Sequence, residues 1–96
     1  HLSQQHGFAH AGASFALGDS AAGYAAMTLL DPGRDVLTVE MKINLVAPAS
    51  GQRLLAVGEV VKPGRRLTVV RATVLSEDAS GTRRETALLQ GTMIPA

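Results

Sequence analysis

The sequence predicts an α+β domain in which one long antiparallel β-sheet wraps around a central apolar α-helix. Two observations lead to this fold class. Residues 11–30 are small or apolar on almost every side of a helix, and such a helix has to be buried all round. Four extended segments follow, and the short turns between them predict an antiparallel meander. A sheet curled around the helix satisfies both observations because it covers the apolar sides.

The helix is expected over residues 11–30, and its apolar stretch contains one carboxylate, Asp19. Gly18 and Gly23 lower its helix propensity, so packing has to stabilise it. Burying a carboxylate costs several kcal/mol unless a partner pairs with it or a reaction uses it. Asp19 therefore either bonds to a backbone or serine group of its own core or belongs to a functional site.

Small residues accompany Asp19 along one side of this helix. Gly12, Ala16, Asp19 and Gly23 are spaced by four, three and four positions, so they share one stripe of the helix surface. A stripe of such small side chains admits a close neighbour. A chain of 96 residues builds only a small core, so it also gains from burying surface against copies of itself.

The hydrophobic period changes to two after Gly33. In residues 36–46, apolar side chains alternate with polar ones, the pattern of a strand with one face on a core. The apolar set is Leu37, Val39, Met41, Ile43 and Leu45, and the polar set is Thr38, Glu40, Lys42 and Asn44. Three further strands, rich in Val, Leu or Thr, are expected over residues 52–62, 67–76 and 83–94.

Composition excludes several classes of protein. Aromatic residues are 3% of the chain, too few for a platform that stacks single-stranded nucleic acid. There is no cysteine, which excludes a disulfide framework, a thiolate nucleophile and a cysteine zinc site. We find neither a membrane-spanning run nor a signal peptide. We therefore expect a single cytoplasmic domain with no nucleic-acid or membrane partner.

Four groups of residues together resemble one known family. They are GFAHAG at residues 7–12, Asp19 nine positions after His10, VEMKIN at 39–44 followed by Ala-Pro-Ala at 47–49, and Lys-Pro-Gly-Arg at 62–65. In this combination they closely resemble the hotdog-fold acyl-CoA thioesterases of the phenylacetyl-CoA thioesterase (PaaI) group. The resemblance covers essentially the whole chain. It implies the hotdog fold and hydrolysis of an acyl-CoA thioester to free acid and CoA.

Two positions depart from the family pattern. Gln4 stands where the family usually has Asn, and Ala11 stands where it usually has the first Gly of His-Gly-Gly. The family also carries a further helix and strand before this point. The resemblance therefore implies that residues 1–96 are a single hotdog domain that lacks N-terminal elements.

Thioester hydrolysis needs a polarised carbonyl group and a carboxylate that activates water or attacks directly. A helix that begins near Ala11 presents the backbone N–H groups of Ala11 and Gly12 to the thioester oxygen. Asp19 supplies the carboxylate. The resemblance implies that Asp19 of one chain faces the helix N-terminus of another across a dimer interface.

Three more side chains are expected near the substrate. The Gln4 amide can orient the water or the carboxylate, because it both donates and accepts hydrogen bonds. Thr38 matches a position that carries a site-lining Ser or Thr in relatives, and it is equally an ordinary β-branched strand residue. His10 is expected to pack and hydrogen-bond at the helix entrance, with direct proton transfer as the minor alternative. His6 and His10 also suggest a metal pair, but two imidazoles without a third ligand make no metal site, and we expect none.

A basic turn, Lys-Pro-Gly-Arg-Arg at residues 62–66, ends one of the predicted strands. In the resembled family the corresponding turn lies near the nucleotide end of CoA. Gly64, Arg65 and Arg66 are therefore expected to bind the substrate, because arginine pairs well with phosphate. The alternative is a solvated hairpin tip.

The leading function is an acyl-CoA thioesterase that needs no cofactor, since CoA is part of the substrate. One alternative is a hotdog subunit that binds acyl thioesters without hydrolysing them or is only structural. Another is hydration of an enoyl thioester, which usually needs an Asp/His pair in another arrangement. The expected partners are acyl-CoA and copies of the chain, as a dimer or a dimer of dimers. Phe15, Tyr24 and Met27 are expected to wall the pocket, and aryl-acetyl, benzoyl and medium-chain acyl groups all remain open.

Overall fold

The computed structural model describes residues 2–48 and 53–96, with side chains from residue 11 onward. It contains one helix and four strands in the order that the sequence predicts. These are α1 (Leu2–Met27), β1 (Val36–Leu45), β2 (Arg53–Lys62), β3 (Thr68–Glu77) and β4 (Arg83–Pro95). The helix packs against one face of the four-stranded sheet, which confirms the hotdog architecture. Within these residues, no helix is long and apolar enough to cross a membrane.

The strands lie in the order β1-β4-β3-β2, and each neighbouring pair is antiparallel. β2, β3 and β4 form the expected meander. β1 instead pairs with β4, so the expectation that β1 neighbours β2 is wrong. The N–H groups of Val46 and Ala47 both donate to the carbonyl oxygen of Thr86, at 2.9 and 3.4 Å. These bonds hold the end of β1 against β4, and β2, the next strand in the sequence, lies at the opposite edge of the sheet.

The core lies between α1 and the inner face of the sheet. Most of its members are small or β-branched, so the helix lies close to the strands. Gly58 on β2 makes one such close approach possible, because a Cβ atom there would overlap the backbone of Ala21. The buried hydrophobic side chains are Ala22, Ala26, Val70, Ala72, Val74, Ala87, Leu89 and Met93.

From residue 11 onward, only one side of α1 is buried. Ser14, Gly18, Ala22 and Ala26, spaced by four, form the stripe that contacts the sheet. Tyr24 on the other side is 70% exposed. The prediction of a helix buried all round is therefore wrong for a single chain, because four strands cover only one side of it.

Both ends of the helix differ from the predicted span of residues 11–30. α1 begins at Leu2, and no proline interrupts residues 2–10 to stop it. It ends at Met27, after which the N–H groups of residues 29 and 30 bond to carbonyl groups three residues earlier. Such tight turns commonly terminate a helix, and Pro32 follows shortly afterwards.

Candidate active site

A hydrogen bond joins the carboxylate of α1 to the first part of β1. The hydroxyl group of Thr38 donates to Oδ1 of Asp19 at 2.9 Å. Asp19 is half-buried rather than fully buried, which corrects the expectation drawn from its apolar surroundings. Among the described residues, its second oxygen, Oδ2, accepts no hydrogen bond. The structure thus brings together two of the residues that the sequence singled out, and it leaves one carboxylate oxygen open.

A β-bulge in β1 turns Thr38 toward the helix. In the pairing with β4, Thr38 lies opposite Met93 and Glu40 lies opposite Thr92, so Val39 is an extra residue. A bulge of this kind reverses which residues face the core. Beyond it, Met41 packs on the core as the alternation predicts. Before the bulge, the residues that face the core are the opposite set from those that the alternation predicts. The expectation that Leu37 and Val39 face the core is therefore wrong, and both side chains are more than half exposed.

One cavity, here called the Asp19 cavity, has a volume of about 560 Å³. Polar side chains of α1 and of the turn before β1 contribute to its walls, among them Asp19, Ser20 and Arg34. Tyr24 and Met27 line it as expected, whereas Phe15 is not among its walls. The residues that line this cavity are Asp19, Ser20, Gly23, Tyr24, Met27, Gly33, Arg34, Asp35, Val36 and Thr38.

Sequence reasoning missed Arg34 and Asp35 in this cavity. Asp35 accepts a hydrogen bond from the N–H of Val36 through Oδ1 at 2.8 Å, and so shapes the entry into β1. Arg34 forms no ion pair among the described residues, and it is the single cation among the residues that line the cavity. The available signal was a charged pair directly after the turn at Gly33.

A second cavity, here called the Leu30 cavity, has a volume of about 430 Å³ and lies at the end of the sheet where α1 terminates. Val36 lines both cavities. Of the predicted substrate-binding residues, Gly64 and Arg65 line it and Arg66 does not. Its walls are Ala26, Leu29, Leu30, Val36, Pro63, Gly64, Arg65, Thr68, Met93, Ile94 and Pro95.

Ala11 and Gly12 lie inside α1, not at its beginning. In a continuous helix, their N–H groups point to the carbonyl oxygens of Gly7 and Phe8, four residues earlier. The predicted helix start at Ala11 is therefore absent from this chain, and the role of the two N–H groups stays a prediction. The side chains of Gln4, His6 and His10 lie outside the described residues, and their roles also stay predictions.

The two carboxyl groups whose pKa is shifted, Glu77 and Asp78, lie at the end of the sheet opposite to Asp19. The hydrogen bond from Arg83 Nε, at 2.8 Å, holds the pKa of Glu77 below its ordinary value, helped by Arg53. The Ser80 hydroxyl lowers the pKa of Asp78 in the adjoining turn, as does the N–H of Thr82. Since Glu77 pairs with Arg83 at the start of β4 and Thr38 with Met93 near its end, these groups are remote from Asp19. Within the described residues, no cluster of three His, Asp or Glu side chains is suited to a metal ion.

Comparisons with known proteins agree with this architecture. The sequence model of the thioesterase superfamily matches residues 6–81 of this chain. A thioesterase family protein from Silicibacter pomeroyi is 47% identical with a TM-score of 0.87, over 98% of this chain and 68% of that chain. The protein smu.793 from Streptococcus mutans, solved bound to acetyl CoA, is 32% identical with a TM-score of 0.73, over 95% of this chain and 68% of that chain.

A further structure, BH2602 from Bacillus halodurans, was solved with CoA. It is 28% identical with a TM-score of 0.77, and the match covers 88% of this chain and 57% of that chain. The chain thus spans little more than half the length of BH2602. No curated protein matches this chain.

Proposed function

This chain belongs to the thioesterase superfamily, and we propose that it hydrolyses acyl-CoA thioesters to a carboxylic acid and CoA, with Asp19 as the reacting carboxylate. The observation that carries this proposal is the hydrogen bond from Thr38 to Asp19 at the wall of an open cavity. The structures of BH2602 with CoA and of smu.793 with acetyl CoA support the choice of thioester. The PaaI-like subgroup is proposed on the motifs in the sequence alone.

In the proposed reaction, Thr38 holds Oδ1 of Asp19 while Oδ2 takes a proton from a water molecule. The water oxygen bonds to the thioester carbonyl carbon, and a tetrahedral intermediate forms. When it collapses, the C–S bond breaks and the proton moves from Asp19 to the CoA sulfur. The reaction needs no metal or other cofactor, so we expect treatment with EDTA to leave turnover unchanged.

The alternative is direct attack of Asp19 on the carbonyl carbon, which gives a mixed anhydride that water then hydrolyses. The two routes place the water oxygen differently when water opens the anhydride at the carboxyl carbon of Asp19. Mass spectrometry after a single turnover in ¹⁸O-labelled water tests this, because ¹⁸O in Asp19 identifies direct attack. We expect the label in the product acid alone.

The thioester oxygen needs hydrogen-bond donors in the transition state. The N–H groups of Ala11 and Gly12 serve only when residues 2–10 leave the helix, because within α1 these groups already face carbonyl oxygens. We therefore propose that the helix of the working enzyme begins near Ala11. Gln4 and His10 then belong to the segment that packs before it.

We also propose that the working unit is a dimer or a dimer of dimers, in the cytoplasm. Apolar side chains on the uncovered side of α1 and on the edge strand β1 support association. Phe15, Tyr24, Leu37 and Val39 are between 37% and 70% exposed in the single chain. Sedimentation velocity should show no folded monomer at micromolar concentration. A fully active monomer would contradict a site shared between chains.

The experiment that tests the function is thiol release from a panel of acyl-CoA thioesters, followed with a thiol-trapping reagent. Turnover of at least one thioester is expected. Binding of acyl-CoA without thiol release would favour the non-catalytic subunit. Loss of enoyl absorbance without thiol release would instead identify a hydratase.

A further inference from the structure

We propose that the Leu30 cavity binds the apolar tail of the acyl group and that Val36, at the boundary of the two cavities, sets the length of chain accepted. This inference rests on the proposed thioesterase function and narrows its substrate class to acyl groups with an apolar tail long enough to reach this cavity. The thioester group would then lie at Asp19 and Thr38, with the tail directed along α1 toward its C-terminal end.

The two cavities follow one another along a single edge of the helix. Asp19, Gly23 and Ala26 are spaced by four and three residues within α1, so they share that edge, and Ala26 lines the Leu30 cavity. A Cβ atom placed on Gly23 would lie 3.8 Å from Cγ2 of Val36 and 3.8 Å from Cε of Met93. Gly23 lines the Asp19 cavity, Met93 lines the Leu30 cavity, and Val36 lines both. The boundary is therefore narrow, and three aliphatic or glycine residues form it.

The two linings differ in chemistry. The Asp19 cavity presents Ser20, Arg34, Asp35 and the carboxylate itself, whereas the Leu30 cavity is walled chiefly by aliphatic side chains and proline. A thioester joins a polar CoA arm to an apolar tail. The polar arm fits the Asp19 cavity and the apolar tail fits the Leu30 cavity. Transfer of an apolar group out of water is favourable in free energy, whereas transfer of a polar group is unfavourable unless it is hydrogen-bonded.

The size of the Leu30 cavity suits a small apolar ligand. Its 430 Å³ falls within the range of about 300 to 1,000 Å³ that is typical of small-molecule sites. Each methylene group transferred from water into such a cavity should raise kcat/KM by roughly fourfold. We therefore expect kcat/KM to rise with the length of the acyl chain and to level off once the chain fills the cavity.

The turn that closes this cavity has two sides. Pro63, Gly64 and Arg65 all contribute to the wall, and Arg65 is also exposed to solvent and forms no described ion pair. The solvent side of the turn therefore remains free for an anion such as a CoA phosphate. In a dimer with two shared sites, the cavity side of this turn can contact one substrate molecule while its solvent side contacts another. The competing occupant of the cavity is the CoA arm.

The test compares butyryl-CoA with decanoyl-CoA in Val36→Phe and Val36→Ala. Phenylalanine should narrow the boundary and lower the decanoyl-to-butyryl ratio of kcat/KM by tenfold or more, and alanine should raise that ratio. Val57→Phe is the matched control, because Val57 is an exposed valine of the same sheet that lines neither cavity, and its ratio should not change. Using the ratio cancels any loss of folded protein.

Equal losses for both thioesters in Val36→Phe would assign the cavity to the CoA arm and overturn the proposal. An unchanged ratio in both Val36 variants would also overturn it. If the parent protein hydrolyses no thioester, the proposed function has failed, and the cavity is tested separately by titration with S-decyl-CoA and S-butyl-CoA. Tighter binding of the decyl compound that is weakened selectively by Val36→Phe would still support the tail site, and equal affinities would refute it.

Discussion

Thr38 Oγ1 and Asp19 Oδ1, 2.9 Å apart, connect the edge strand of the sheet to the uncovered side of the helix. The hydroxyl group fixes which carboxylate oxygen remains open to the Asp19 cavity. Because it acts through Asp19, Thr38 is a positioning residue in the proposed mechanism. Its removal should therefore lower kcat with little change in thermal stability.

For Thr38→Val we expect kcat to fall about tenfold or more, because the Asp19 carboxylate is then no longer held in the orientation that takes a proton from water. Thr38→Ser keeps the hydroxyl group and should restore most of the rate. Thr73→Val, a half-buried threonine on the opposite face of the sheet, is the control for the change of residue type. Melting curves and kcat should be measured on the same preparations. A Thr38→Val variant with full kcat would show that the bond is only structural.

The sequence predicts the elements of this fold well because their signals are local. Turn residues separate the strands, and alternation identifies each one. The bulge at Val39 has no local signal, because it depends on the pairing of β1 with β4. The alternation of apolar and polar residues continues through it without interruption. Thr38 was therefore found through resemblance and was placed on the wrong face. The extent of burial around α1 was also unpredictable, because it depends on how many strands one chain supplies.

A pH dependence of stability is expected from Glu77, whose pKa is held low by the hydrogen bond from Arg83. A carboxyl group with a lowered pKa in the folded protein stabilises it above the pKa of the unfolded chain. That contribution is lost as the pH falls through the lower, folded value. The melting temperature should thus fall on acidification in that window. Asp78 should contribute in the same direction.

Glu77→Gln is expected to lower stability at neutral pH and to reduce the slope of melting temperature against pH below the ordinary glutamate range. Glu85→Gln is the control, because Glu85 is exposed and belongs to none of the described ion pairs. Thermal melts in a series of acid buffers measure the effect. If melting temperature depends on pH with the same slope in Glu77→Gln and in the parent, Glu77 is not the source of the pH dependence.

Substitution of Ala11 tests where the helix begins in the working enzyme. Proline is tolerated in the first turn of a helix but breaks a helix interior, and it removes the N–H group in either case. If the helix begins near Ala11, Ala11→Pro should keep its helical circular dichroism and lose about 100-fold or more in kcat. Ala11→Gly keeps the donor and should retain or raise turnover.

The opposite pattern for Ala11→Pro is equally informative. A loss of helical signal and early melting would indicate that the helix runs from Leu2 in solution, as in the isolated chain. Full turnover in Ala11→Pro would exclude its N–H group as a donor to the thioester oxygen.

Asp19→Asn separates chemistry from structure. Asparagine is nearly isosteric, and its carbonyl oxygen can still accept the hydrogen bond from Thr38, so the fold should be kept. The variant cannot take a proton from water or attack the thioester, and groups of this kind contribute about 100-fold or more to rate. Asp31→Asn, an exposed aspartate outside both cavities, is the control. Turnover and thermal melting should be measured together on each protein.

A merely structural carboxylate would behave differently, because its hydrogen bond from Thr38 is charge-assisted and the neutral asparagine would accept a weaker one, so stability would fall while turnover would not. An Asp19→Asn protein that melts early but turns over normally per folded molecule would make Asp19 structural and remove the proposed mechanism. We expect instead a protein that melts like the parent and has turnover near background. That result would also account for a half-buried carboxylate on a helix whose other side chains after residue 10 are almost all small or apolar, because the reaction requires it there.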